Sequence, residues 1–125
     1  MNEQFVSSFE EACARLGKST QLPDVSTFPD HLQKHVTATF KLSTILEVNN
    51  GEWKPDIADT TQRKYFPYFL IRPDENCASG FGLSFYDYGC DYSGTSLGVR
   101  LACKDAGLAI FMGENCTDLY KDLLA

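Results

Sequence analysis

Phe5, Phe9, Ala12, Cys13 and Leu16 recur at the three- and four-residue spacing of an amphipathic helix, with Glu10 and Glu11 off the stripe. The pattern predicts a first helix that Asn2 caps and Gly17 ends. A polar connection over 18–26 follows, and Thr27-Phe28-Pro29-Asp30 then reads as a helix entrance. There Thr27 can cap, Pro29 loses no needed N–H, and Asp30 suits the positive end of the helix dipole. This second helix is expected to reach about Val48. Its ridge is Leu32, Val36, Phe40, Ser43 and Leu46 or Glu47, widened by Leu42 and Ile45. Asn49-Asn50-Gly51 is a strong stop, because Asn and Gly tolerate left-handed backbone.

From Trp53 the texture changes: most of the aromatic residues fall between Trp53 and Tyr92, and Gly and Ser become common. Such a mixture favours strands and turns. Glu52 to Thr61 reads as an irregular connection with Trp53 turned inward. Strand one is expected over Lys64–Ile71, and Pro67 within it marks an edge strand or a bulge. Strand two, Phe81–Tyr88, alternates Phe81, Leu83 and Phe85 against Gly82, Ser84, Tyr86 and Tyr88. Strand three, Leu97–Cys103, sets Leu97, Val99, Leu101 and Cys103 against Gly98, Arg100 and Ala102. A last helix starts near Asp105 and buries Leu108, Ala109, Met112, Cys116, Leu119, Tyr120 and Leu123. Gly107 and Gly113 each weaken it by about 1 kcal/mol relative to Ala.

Helices and strands segregated in this way imply an α+β fold. The expectation is two N-terminal helices, a three-stranded antiparallel meander and a C-terminal helix packed on one sheet face. With no repeat, low-complexity tract or linker, residues 1–125 read as a single domain.

Composition narrows the function classes. Lys plus Arg number 11 against 17 Asp plus Glu, a net charge of −6. That balance argues against duplex DNA as a partner, since phosphates demand a basic face. No apolar run approaches the ~20 residues that span a bilayer, so no membrane role is expected. The start, Met1-Asn2-Glu3-Gln4, lacks the features of a secretory signal, and five cysteines without paired spacing suit free thiols. Both point to the cytoplasm.

Several segments carry a family likeness. Trp53-Lys54-Pro55-Asp56, Lys64-Tyr65-Phe66-Pro67-Tyr68-Phe69, Ser79-Gly80-Phe81-Gly82 and Arg100-Leu101-Ala102-Cys103-Lys104 resemble a family of small uncharacterised proteins. That family is encoded mainly in phages, prophages and mobile elements of gut Bacteroidetes. Phe9-Glu10-Glu11-Ala12-Cys13 and Leu119-Tyr120-Lys121-Asp122 extend the likeness to both ends. Ile57, where the family often has an aromatic, and Ala102-Cys103, where a bulkier residue is usual, depart from it. The resemblance implies a phage or mobile-element accessory protein; it supplies no catalytic residue.

Chemistry-bearing residues are sparse. His31 and His35, four apart on a helix, could face one metal ion, but no third ligand lies near and Leu32-Gln33 breaks the metallopeptidase signature. Two solvent-side histidines is the plainer reading, and no metal or cofactor is implied. Cys13, Cys103 and Cys116 fall on buried faces as small hydrophobes, while Cys77 and Cys90 lie in loops without an activating base. Asp56, Asp59, Asp74, Glu75, Asp87 and Asp91 occupy turns that favour acids anyway. An enzyme would need an unrecognised loop-built site, and none of these residues is assigned a catalytic role.

The least ordinary feature is the face opposite the core. If Phe69 and Ile71 are buried, then Phe66 and Tyr68 join Tyr86, Tyr88 and Arg100 outside. Tyr68, Tyr86, Tyr88 and Arg100 are therefore the candidate binding residues. Such a face suits a protein partner or a second copy, because Tyr and Arg are favoured at interface hot spots. It could also stack the bases of a single-stranded nucleic acid, or be covered by the chain's own loop at 53–61.

Overall fold

Ser8, not Asn2, starts the first helix. Its hydroxyl accepts from the Glu11 amide at 3.2 Å and faces the Glu11 carboxylate, a Ser-x-x-Glu box that the sequence displays openly. In the computed structural model, which describes residues 4–76, 80–94 and 98–125, α1 spans Phe9–Leu16. Gly17 closes it at φ 66°, as expected. Asn2 lies outside the described residues.

Helix α2 spans Asp30–Asn50 and buries Ala38, Leu42, Ile45, Leu46, Asn49 and Asn50. The expected ridge is thus rotated: Leu32, Phe40 and Ser43 are exposed and only its C-terminal part holds. Thr27 makes no cap; Pro29 takes the capping position without a side-chain bond. Gly51, at φ 62°, ends the helix where the Asn-Asn-Gly signal puts it. The two asparagines are helical and buried, and they work through their amides. Asn49 accepts from Val6 N–H at 2.8 Å and donates to Val6 C=O at 2.9 Å. Asn50 donates to Ala102 C=O and accepts from Lys104 N–H, both at 2.9 Å. Each ties an irregular segment to the helix, satisfying backbone groups that would be costly to bury alone.

Strands β1 (Lys64–Pro73) and β2 (Phe81–Asp91) form a two-stranded antiparallel ribbon, which with the four helices of the described residues makes an α+β arrangement. The expected third strand is absent among the described residues. Val99–Leu101 is a 3-10 turn, and only Cys103 pairs, through one bridge to Tyr65 of β1. Leu97 lies outside the described residues. The physical reason is present in the sequence. Tyr65 exchanges both backbone bonds with Cys103, so the next such pair would set Pro67 opposite Leu101. Pro67 has no N–H to give. The Leu101 amide is meanwhile bonded to the Gly98 carbonyl at 2.8 Å, so it is not offered to β1. The bridge also falls on β1, so the order is not that of a meander.

The C-terminal helix is two helices, α3 (Ala106–Asn115) and α4 (Thr117–Leu124), broken at Cys116. Asp105 caps α3 by accepting from Leu108 N–H at 2.8 Å. The Thr117 hydroxyl takes the Gly113 carbonyl at 2.7 Å, a group the Thr117 amide would claim in a continuous helix. Helix α3 packs on the ribbon, and α1 and α4 pack on α2. Gly113 permits the closest approach: a Cβ there would overlap the Phe85 ring. The core joins Val6, Ala12, Leu42, Ile45, Leu108 and Met112 with Cys103, Cys116 and Tyr120. Each fully buried aliphatic side chain contributes about 1.5–3 kcal/mol. Cys13, Cys103 and Cys116 are buried thiols, as their positions on the apolar faces required, and Cys77 is outside the described residues.

Candidate functional site

Phe69, Phe85 and Leu83 turn toward the helices, so the register read from the alternation is correct for that half of the ribbon. Phe69 meets Phe85 at 6.4 Å and Tyr120 at 5.1 Å between ring centres, and Leu83 packs on the core. Ile71 shares their face but is 66% exposed.

The alternation then breaks. Tyr68 pairs with Asp87 but Phe69 pairs with Phe85, leaving Tyr86 as the extra residue of a β-bulge. Tyr86 and Asp87 therefore both stand on the Tyr68 side, and Tyr88 is returned to the inner side. Its ring lies 5.9 Å from that of Tyr65. Gly89 takes the outer position beside Tyr68, whose ring lies over it so closely that a Cβ would overlap. Pro67 signals an edge or a bulge; the structure contains both, with the bulge on the opposite strand.

Of the four candidate residues, two come together. Tyr68 and Tyr86 are 57% and 67% exposed on the outer face, with Leu70 beside them. Tyr88 lies across the ribbon. Arg100 is not on the ribbon at all, because the strand expected to carry it is a 3-10 turn packed on α2. It borders a separate cleft with Trp53, Lys54 and Pro55. Ile57 lines that cleft too, while the Asp59 and Gln62 carbonyls bind the Lys64 ammonium at the start of β1; Tyr68 and Tyr86 stay uncovered.

The ribbon's edges are open for most of their length. Since Tyr65 directs its backbone groups away from β2, so do Pro67, Phe69 and Ile71. Pro67 and Pro73 lack amides, which blunts that edge. Beside it lies an apolar recess of about 220 Å³ bordered by Pro67, Phe69, Leu101, Leu123 and Leu124. No strand pairs with the outer edge of β2 among the described residues, and there the Asp87 carboxylate accepts the Tyr88 amide at 2.8 Å.

His31 and His35 are both exposed on α2, and His35 Nδ1 lies 2.6 Å from the Leu123 carbonyl at the end of α4. Among the described residues no three His, Cys, Asp or Glu side chains gather as metal ligands, and no helix is long and apolar enough to cross a membrane. Asp59 is held below the ordinary carboxylate range by the Thr61 hydroxyl and amide. Asp24 is lowered in the same way by Ser26. Both are turn-forming bonds. Burial pushes the Cys103 thiol up to about 12 and the Cys116 thiol up to about 11, so neither is a ready nucleophile. Tyr120 is raised well above its ordinary value, chiefly by burial, and its hydroxyl has no hydrogen-bond partner among the described residues.

Sequence reasoning misses the grouping of Trp53 with Arg100. Asn50 is the available signal: a buried helical amide beside a Gly stop must bind some other backbone, and that backbone is 102–104. Searches against protein-family models, curated proteins and solved structures returned no match.

Proposed function

We propose that this chain is a protein-interaction module acting through the outer face of the β1–β2 ribbon, a small accessory protein of phage or mobile-element origin as the family resemblance implies. The observation that supports it is the exposure of Tyr68, Leu70 and Tyr86 together on a ribbon face that no helix among the described residues covers. Isolated two-stranded ribbons are marginal in water. This one is secured on its inner face by α3, which leaves the outer face for another molecule. Tyr68 is pre-positioned across Gly89, so its ring loses little freedom on docking. The partner is a second copy or another protein.

Single-stranded nucleic acid fits less well. Asp87 stands beside the two tyrosines, Arg100 is elsewhere, and the chain is acidic.

Light scattering during size exclusion, with wild type as bait in parallel binding assays, tests the reading. A mass above monomer, or a defined protein retained by wild type, should be lost in Tyr68→Ala/Tyr86→Ala while the thermal midpoint stays unchanged. A monomer that retains the same proteins with and without the two rings overturns it. Tyrosine quenching by oligothymidylate that weakens with salt would replace it with the nucleic-acid reading.

A further inference from the structure

Two irregular segments, the Trp53–Ile57 stretch and the 3-10 turn Val99–Leu101, meet the C-terminal end of α2. They enclose a cleft of about 570 Å³. That is within the range of small-molecule sites, which span about 300–1,000 Å³. Loop-built walls are usually pliable, but these are pinned. The Gln62 amide accepts from Asp56 N–H at 2.7 Å and donates to Lys54 C=O at 2.8 Å. The buried Lys64 ammonium binds the Asp59 and Gln62 carbonyls, both at 3.3 Å. Asn50, at the cleft's base, fixes the chain on either side of Cys103. Side-chain amides and the Lys64 ammonium thus tie the walls of a concave surface together, which lowers the ordering cost of binding a small ligand.

The lining combines apolar side chains with the cations Lys54 and Arg100. Leu46, Trp53, Pro55 and Val99 supply the apolar part. Glu47, the acid on the rim, is engaged by Lys18 at 3.3 Å, and Lys54 reaches the Gly51 carbonyl at 3.4 Å. Arg100 has no hydrogen bond or ion pair among the described residues, so it is the uncommitted charge facing the cleft. A guanidinium fork matches a carboxylate with two parallel bonds. One free fork, with the Glu47 carboxylate on the same rim, suits a single negative charge better than a doubly charged phosphate.

We propose that this cleft binds a small carboxylic acid, its carboxylate on Arg100 and its hydrocarbon body against Trp53 and Leu46. The site is separate from the ribbon and does not depend on the role proposed for it.

The chain contains one tryptophan, so its emission reports this cleft alone. Titrating the full chain with cyclohexanecarboxylate should give a saturable change at about 1 mM or tighter, the affinity expected of so small a body. Cyclohexanecarboxamide, equal in shape and uncharged, should bind at least tenfold more weakly. Arg100→Gln should bring the acid down to the level of the amide and leave the amide unchanged. Arg100→Lys should fall between, because the point charge persists without the fork. Equal binding of acid and amide, no saturation by the acid, or indifference to Arg100→Gln overturns the proposal. So does tighter competition by inorganic phosphate than by the acid itself.

Discussion

The helical body and the ribbon treat their backbone in opposite ways. In the body, segments that are neither helix nor strand are closed by buried side-chain amides: Asn49 on Val6, Asn50 on Ala102 and Lys104. In the ribbon, β2 leaves one edge unpaired among the described residues, and Tyr68, Ile71 and Tyr86 stand more than half exposed. Buried backbone without a partner is expensive, so the body commits specific residues to it; exposed backbone has water, so the ribbon needs none. The difference locates stability in one region and available surface in the other.

The sharpest way to break the contrast is Asn49→Ala. It removes the partners of both the Val6 amide and carbonyl while α2 itself gains helix propensity. Each orphaned buried group costs about 1–3 kcal/mol. The expected loss is therefore about 2–6 kcal/mol in urea unfolding, a large share of what a domain of this size possesses. A loss below about 1 kcal/mol would show that water reaches Val6 and that the body is no better sealed than the ribbon.

An intermediate effect comes from the one polar side-chain atom that the body leaves unsatisfied among the described residues. The Tyr120 hydroxyl is buried without a partner near Cys103 and Cys116. Tyr120→Phe should raise stability at neutral pH by about 1–3 kcal/mol, the desolvation cost of an unpaired group. The same trio weakens the fold at alkaline pH. Burial raises the Cys103 thiol from 9.0 to about 12 and the Cys116 thiol from 9.0 to about 11. Tyr120 is raised from 10.0. Above their ordinary values the unfolded chain has released these protons and the folded chain has not. The unfolded state then binds fewer protons, so stability is full below about pH 9 and falls as pH rises toward 12. The fall across that interval should be shallower for Tyr120→Phe above pH 10 when unfolding is followed at a series of pH values. Parallel curves would place the titrating groups elsewhere.

What was legible in the sequence follows the same division. Alternation locates both strands and their inner faces, since a half-buried strand must repeat every second residue. It does not carry through Tyr86, because a bulge inverts the faces without altering composition, and so plain alternation puts Tyr88 on the wrong side. The stripe of α2 is displaced for a different reason. Its N-terminal half is largely exposed, so Leu32 and Phe40 draw the ridge away from the Ala38–Leu42–Ile45 line that faces the core. The binding candidates inherit these errors: Tyr68 and Tyr86 survive as neighbours, whereas Arg100 follows a strand that does not form. Its cleft depends on contacts between Asn50 and the 102–104 segment, which no local pattern records.

That missing strand supplies the smallest and most local test. Two features oppose it: Pro67 lacks the amide that would meet Leu101, and Leu101 N–H is already bonded to Gly98 C=O at 2.8 Å. Pro67→Val restores the donor. A net hydrogen bond adds about 0.5–1.5 kcal/mol, while losing proline costs about 0.4–1 kcal/mol through the unfolded chain. The two nearly cancel, so global stability should move by less than about 1 kcal/mol. Hydrogen exchange discriminates where stability cannot. If proline is what stops the ladder, the new backbone amide at position 67 becomes protected, and the Leu101 amide exchanges its Gly98 bond for the new pair. If the amide at 67 exchanges as fast as the open β2 edge, the 3-10 turn alone is sufficient to end the sheet. The Leu101–Gly98 bond of that turn, and not the ribbon's proline, would then set where the ribbon stops.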